Sequence, residues 1–430
     1  MEIARLYEIY KKHPSVQTDT RKLNSGDLFF ALKGPNFNGN QFAGHAIEAG
    51  AAFAIVDDPE VVKDERYILT ENVLDTLQQL ARFHRQQFDI PFIAITGSNG
   101  KTTTKELVTA VLRKKFRTYA TEGNLNNHIG VPLTLLKVGM DAEMVVVEMG
   151  ANHQKEIEGY CRVALPTHGI ITNCGKAHIE GFGGEEGVRK GKGELYDFLR
   201  ENKGTVFRNT DLSYLEEMAK GIPEQITYGS ANAWYIGKTL SGDLMLRVAI
   251  LTTGSETTIK SNLVGEYNFP NVMVAVAVGR HFGIDVNTVK DAIESYMPDN
   301  SRSQLLQLGS NKIILDAYNA NPTSMRAAIS NMQSSGLQRR ILWIGAMKEM
   351  GKDEEKEHKE LVEFLDRYSW DDVILVGREF REFRGRHKWF ADSAEAARFV
   401  RDHRPDASSI LIKGSRGSRM ELLLDALKSE

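Results

Sequence analysis

Short apolar runs alternate along the chain with stretches whose apolar residues recur at helical spacing. Asp27 to Leu32 reads as a strand ended by Lys33-Gly34-Pro35, Phe42 to Gly50 as a helix closed by glycine, and Ala52 to Val56 as the next strand. A helix from about Val73 to Phe88 precedes Pro91, a boundary. The apolar strand Phe92 to Thr96 opens a second region and runs through a glycine-containing loop into a helix ending near Leu112. Met144 to Glu148, Gly169 to Asn173 and Thr205 to Arg208 are further apolar runs. Strands covered by helices on both faces have this pattern. Between about Trp234 and Val264 the pattern becomes alternating, which predicts antiparallel strands attached to the parallel sheet, followed by a helix from Phe269 to Phe282. A third region begins near Arg302, with strands at 313–318, 341–345, 373–377, 388–391 and 410–414 and helices such as 324–333 and 394–401. The expectation is an α/β chain of three domains. Residues 1–88 form a small α/β domain, 89–301 a central P-loop mononucleotide-binding parallel sheet, and 302–430 a C-terminal dinucleotide-fold, Rossmann-like domain.

Composition narrows the function classes. The chain has 430 residues, with no repeating period and no low-complexity tract. At roughly 100–200 residues per domain that length suits three. Lys plus Arg is 54 and Asp plus Glu 57, a net charge of -3. A general nucleic-acid binder would carry a basic excess, so no nucleic acid is expected. No apolar run approaches the roughly 18 residues of a membrane span. The opening MEIARLYEIYKKH lacks the apolar core of a signal peptide, and only Cys161 and Cys174 are present. A cytoplasmic protein without a disulfide framework is expected, as a monomer.

Gly97-Ser98-Asn99-Gly100-Lys101-Thr102-Thr103 follows the strand and opens the helix. Glycines let backbone N–H groups turn inward, and the helix N-terminus adds positive potential, so the segment is built to hold phosphates. Lys101 would reach the β- and γ-phosphates and the Thr102 hydroxyl would bind magnesium. The spacing, G-x-x-G-K-T, is two residues shorter between glycines than the general P-loop pattern. No N-K-x-D guanine signature accompanies it, which favours ATP over GTP.

Glu148 ends a buried strand, where a carboxylate beside a P-loop can hold magnesium. His178 follows the next strand and could bind a metal or a phosphate, or be an ordinary loop histidine. Lys190-Gly191-Lys192-Gly193-Glu194 is read at the start of a helix, as a basic patch or as a lysine able to form a carbamate near metal ions. Asn268 and Asn271 share a face at another helix start, where they could cap the helix or hydrogen-bond a purine. Arg302 could reach a phosphate or ribose, and Asp316, at a strand end, the ribose hydroxyls.

These segments resemble the Mur ligases, the ATP-dependent amide-forming enzymes of bacterial cell-wall synthesis, over nearly the whole chain. Thr18 to Arg21 and Gly26 to Gly34 are similar to the family's UDP-binding domain. The P-loop, the Glu148 strand end, Gly175 to His178 and the asparagines at 268 and 271 are similar to its ATPase domain. Lys413 to Glu421 resembles its carboxy-terminal signature. Gly123 to Pro132 and Asp316 to Met325 resemble the branch that joins D-alanyl-D-alanine to UDP-N-acetylmuramoyl-tripeptide. The usual D-G-H reads Asn38-Gly39-Asn40 here, the usual D-S-R reads Asp19-Thr20-Arg21, and Gly345 to Gly351 departs from G-D-M-x-E-L-G.

The resemblance implies that a substrate carboxylate attacks the γ-phosphate of ATP and that the dipeptide amine then attacks the acyl phosphate. It implies two magnesium ions, the first on Thr102 and Glu148. The second would be held or oriented by His178 and a carbamylated Lys192, because Lys192 to Tyr196 matches the family run. The adenosine side falls to Asn268, Asn271, Arg302 and Asp316. The UDP substrate falls to Thr20, Arg21, Lys33, Gly34 and Asn38. Asn126, Asn127 and His128 fall near the γ-phosphate and the acceptor carboxylate, and Asn321, Lys348 and Arg416 to the dipeptide side. Two alternatives stay open: a family member using a different amine, and a non-catalytic ATP-binding protein. The third residue of the tripeptide, diaminopimelate or lysine, is also open.

Overall fold

The computed structural model describes residues 2–240, 244–252, 255–299 and 301–428. Residues 241–243, 253 and 254, inside the alternating stretch, lie outside the described residues. Among the described residues the strands form three main sheets and one two-stranded ribbon.

The first sheet is parallel throughout, in the order Val16–Gln17, Leu28–Phe30, Phe53–Val56, Tyr67–Leu69. The expected strand 27–32 is confined to its apolar centre, and the expected helix 42–50 to Ala43–Glu48. Lys33–Gly34 pairs with Phe37–Asn38 as the ribbon. Two amphipathic helices, Ile3–Lys12 and Val73–Arg85, complete this part. The first was not anticipated.

The second sheet has nine strands. Phe92–Thr96 lies at its heart, between His168–Ile171 and Met144–Glu148, with every residue buried. Parallel pairing runs from Thr118–Ala120 at one edge to Tyr235–Leu240. Met245–Thr252 and Ser255–Val264 then add in antiparallel sense, as the alternation predicts. Helix Phe269–His281 is apolar on nearly every side because it lies between the sheet and Lys101–Leu112.

The third sheet runs Gln304–Leu308, Asn311–Asp316, Ser409–Lys413, Arg340–Gly345, Asp372–Val376, Lys388–Phe390. Its first pair is antiparallel and the rest parallel. Open sheets of this kind take ligands at the carboxyl ends of their strands. No helix among the described residues is long and apolar enough to cross a membrane.

One local expectation is corrected. Lys190 to Glu194 does not start a helix but lies inside Glu185–Glu201, which begins after Gly183 and Gly184, both at positive φ. Gly187 and Gly191 stand four apart against Phe182. A Cβ would meet its carbonyl oxygen at 1.8 Å from Gly187 and its ring at 2.4 Å from Gly191. These glycines admit a close neighbour and do not break the helix.

Candidate active site

Strand Phe92–Thr96 delivers the loop 97–100 to the mouth of a cavity of about 550 Å³. Gly97 and Gly100 both have positive φ. A Cβ on Gly97 would sit 1.9 Å from Thr172 Oγ1, and one on Gly100 2.6 Å from Asn271 Oδ1, so glycine is demanded by conformation and by space. The loop is tied to its neighbours. Ser98 N–H donates to Asn173 O at 2.9 Å, Ser98 Oγ to Gly175 O at 2.9 Å, and Asn99 N–H to Asn173 Oδ1 at 3.1 Å. Lys101 Nζ donates to Gly97 O at 2.6 Å and Ser98 O at 3.3 Å. Burial lowers the Lys101 ammonium to about 8; Glu148 pulls it back up and Arg302 adds to the fall.

Glu148 is 1% exposed. Its Oε1 accepts from Thr102 Oγ1 at 3.2 Å and Asn126 Nδ2 at 2.7 Å, while the buried Oε2 has no partner. An orphaned carboxylate oxygen beside a threonine hydroxyl, at a phosphate loop, fits magnesium, which takes few protein ligands and completes its shell with phosphate and water. Among the described residues no cluster of three or more His, Cys, Asp or Glu that could hold a metal assembles.

His178 lines the cavity in left-handed backbone, with Nδ1 2.5 Å from Glu349 Oε2. That contact holds the Glu349 carboxyl below its ordinary value. Lys192 lies beneath the cavity wall. It is 1% exposed, its Nζ donates to Ala151 O at 3.0 Å and sits 4.8 Å from the Phe182 ring centre. Burial brings Lys192 down to about 7, with the charge of Lys101 acting the same way.

Asn268 and Asn271 do not cap their helix with side chains. Asn268 Nδ2 donates to Val264 O at 2.9 Å and Asn271 Nδ2 to Asn268 Oδ1 at 2.8 Å. Asn271 Oδ1 accepts from Thr104 Oγ1 at 3.1 Å, which sets the pair against the P-loop helix. Arg302 and Asp316 reach the same cavity from the third region. Arg302 places its guanidinium 3.7 Å from the Tyr318 ring centre, and its buried Nε has no partner. Asp316 is already paired, with Oδ2 2.6 Å from Lys413 Nζ.

Asn126, Asn127 and His128 also line the cavity. Asn127 Oδ1 accepts from Gly130 N–H at 2.8 Å and holds the turn into helix Gly130–Leu135. The dipeptide-side candidates separate. Asn321 reaches the cavity and donates Nδ2 to Asn99 Oδ1 at 2.8 Å. Lys348 instead lines a second cavity of about 480 Å³ and pairs with Glu379. Arg416 is exposed, 5.3 Å from the Tyr318 ring centre. The UDP-side candidates Thr20, Arg21, Lys33, Gly34 and Asn38 lie around the first sheet and do not line the P-loop cavity. Arg21 holds Asp19 down to about 2 through side-chain hydrogen bonds, Lys33 Nζ lies 2.8 Å from Asp57, and Asn38 Oδ1 accepts from Asn40.

Glu156, Tyr160, Tyr318 and Lys413 line the main cavity although the sequence reading gave them no role. Tyr318 and Lys413 stood within runs already quoted for the family resemblance. Glu156 and Tyr160 share a face of helix Glu156–Ala164, which apolar periodicity did not reveal.

Residues 14–90 match the family model "Mur ligase family, catalytic domain", 95–279 "Mur ligase middle domain", and 301–416 "Mur ligase, glutamate ligase domain". The UDP-N-acetylmuramoyl-tripeptide--D-alanyl-D-alanine ligase of Bacillus subtilis (strain 168) is 34% identical, over 96% of this chain and 92% of that one. The crystal structure of MurF from Acinetobacter baumannii superposes with a TM-score of 0.88 at 30% identity, covering 96% of this chain and 93% of the other. MurF ligase from Thermotoga maritima in complex with ADP superposes at 0.87 and 26% identity, covering 96% and 97%. Matches to all three parts of the chain, in order, carry the conclusion that the chain belongs to the Mur ligase family.

Proposed function

We propose that this chain is an ATP-dependent ligase that joins D-alanyl-D-alanine to UDP-N-acetylmuramoyl-tripeptide in the cytoplasmic stage of peptidoglycan synthesis, acting as a monomer. The observation that carries the reading is the unpaired, buried Glu148 Oε2 beside Thr102 and the 97–103 loop, in a cavity that Arg302 and Asn321 enter from the third region. A phosphate cradle, a cation seat and a second substrate face meet there. Relatives that match over 96% of this chain carry the ligase name.

In this reading residues 1–88 bind the UDP substrate through Thr20, Arg21, Lys33, Gly34 and Asn38. Residues 89–301 bind ATP through Gly97 to Thr103, Asn268 and Asn271. Residues 302–430 bind the amine, with Asn321 facing the cavity and Lys348 and Arg416 further out. A carboxylate is a poor electrophile, so the acceptor carboxylate first displaces ADP from the γ-phosphate to give an acyl phosphate. The dipeptide amine adds to the acyl carbon, and phosphate leaves. Lys101 and Arg302 stabilise charge on the transferring phosphoryl group, and Asn126, Asn127 and His128 orient the acceptor. Thr102 and Glu148 would hold magnesium, which would add to the neutralisation of phosphate charge. Lys192 is buried with a depressed ammonium value, so a neutral amine able to add carbon dioxide is accessible near pH 7. The carbamate would give His178 an anionic companion for a second ion.

The test is incubation with ATP, magnesium, UDP-N-acetylmuramoyl-tripeptide and D-alanyl-D-alanine, read by mass spectrometry, with single amino acids as parallel amine donors. Pentapeptide product with the dipeptide alone is expected. Product with a single amino acid and none with the dipeptide would overturn the substrate assignment, and bound ATP without turnover would overturn catalysis.

A further inference from the structure

Tyr318 follows the strand Asn311–Asp316 and has no role in the scheme above. Its ring is half-buried and touches two cations from different parts of the third region. Arg302 Cζ lies 3.7 Å from the ring centre and Arg416 Cζ 5.3 Å from it. Among the described residues no carboxylate pairs with Arg302, and its buried Nε has no hydrogen-bond partner. The π-face of Tyr318 is thus the contact that fixes a guanidinium over the phosphate end of the cavity. A carboxylate would hold Arg302 as firmly, but it would cancel the charge that a phosphate needs. An aromatic face orients the cation and leaves its charge available. Arg302 already acts at that end, since it contributes to the lowering of Lys101.

We propose that Tyr318 is a positioning residue that aims Arg302 at the nucleotide phosphates and, through Arg416, links the nucleotide side of the cavity to the side receiving the amine. The inference rests on the ligase reading above. Its physical content is that the ring matters and the hydroxyl does not, and that the ring acts through Arg302.

Steady-state ligation by the full chain tests it, with KM for ATP measured at low and at saturating D-alanyl-D-alanine. Tyr318→Phe is expected to stay within about twofold of wild type. Tyr318→Leu is expected to raise KM for ATP roughly tenfold, the size of a partly desolvated cation–π contact. It should also abolish any dependence of that KM on the dipeptide. In an Arg302→Ala background, Tyr318→Leu should add less than about twofold, because the group it positions is gone. Additive losses in the double variant, equal impairment of the Phe and Leu variants, or a Leu variant matching wild type would each overturn the proposal. Wild-type turnover in the same assay separates this failure from failure of the ligase reading. ADP binding to each variant by calorimetry keeps the test decisive where turnover is too low to fit.

Discussion

Where helices Ile3–Lys12 and Val73–Arg85 meet the helices that flank the central sheet, the contact is apolar and continuous. Where the segment 174–180 meets the third region, it is polar and made by side chains. At the first junction Tyr7, Tyr10, Leu77 and Leu80 share one core with Val131, Leu135, Leu136 and Tyr160. Buried polar groups are tied across it. Tyr10 donates to Leu136 O, His84 Nε2 lies 2.8 Å from Val138 O, and Arg85 donates to Ala164 O and Leu165 O at 2.9 Å each. At the second junction Asn321 donates to Asn99, Lys176 Nζ lies 2.8 Å from Glu357, and His178 lies 2.5 Å from Glu349. Apolar interfaces lose their whole area on opening, whereas polar contacts exchange for water at small net cost. The UDP side is therefore fixed to the ATPase domain, whereas the third region combines an apolar hinge, where Val264, Leu244 and Met245 pack in its core, with polar contacts near the cavity that can be exchanged for substrate, which suits a site completed by closure.

The largest effect that probes this division is Lys101→Ala, which leaves both junctions intact. Turnover should fall by at least roughly 10³-fold while the thermal midpoint stays close to wild type. Normal turnover would remove the P-loop from the mechanism. Lys192→Ala should lose roughly 10²-fold, with partial rescue by short-chain carboxylates that replace the anionic group. An unaffected variant would sink the carbamate.

The junctions themselves can be set against each other. Lys176→Ala combined with Glu349→Gln should raise KM for the dipeptide several-fold and barely move KM for ATP. Tyr10→Phe leaves the Leu136 carbonyl without its donor and should cost about 1–2 kcal/mol of stability with both KM values unchanged. If Tyr10→Phe altered KM for the dipeptide more than the second-junction variant did, the comparison would be reversed.

The smallest effect is in pH. Lys192 falls to about 7 when folded, below the ordinary lysine value, so the unfolded chain holds the proton more firmly. The buried charge costs most below pH 7, and the cost fades as pH rises from 7 toward the lysine range. Lys192→Met should therefore raise the thermal midpoint by several degrees more at pH 6 than at pH 9. A pH-independent difference would show that packing, not charge, sets it.

The central architecture was legible because its signals are local. An apolar strand, two spaced glycines, a lysine and a helix follow one another without interruption from Phe92 to Leu112. Glu148 was legible for the same reason, as a carboxylate ending an apolar run. Other parts depend on what comes near in space. The sequence reading sets Lys192 at a helix start, yet it lies inside Glu185–Glu201, where Gly191 makes room for Phe182. The asparagines at 268 and 271 leave both capping and purine contact open in sequence, and the helix shows no side-chain cap there, with Asn271 set instead against Gly100 and Thr104. Tyr318 stood within a run that resembles the family, but nothing in the sequence pointed to its role, since a half-buried aromatic after a strand is ordinary until two arginines are found beside it. Lys348, legible as a charged residue in a motif, belongs to a different cavity from Asn321.

The crowding at Gly97 and Gly100 has a consequence for how this protein can change over generations. Any side chain at 97 would run into Thr172, and any at 100 into Asn271, with the backbone at positive φ in both places. Escape from a compound that binds the loop backbone would have to come from replacements elsewhere, because these two positions offer no tolerated substitution. A compound anchored on 97–100 would therefore meet resistance slowly.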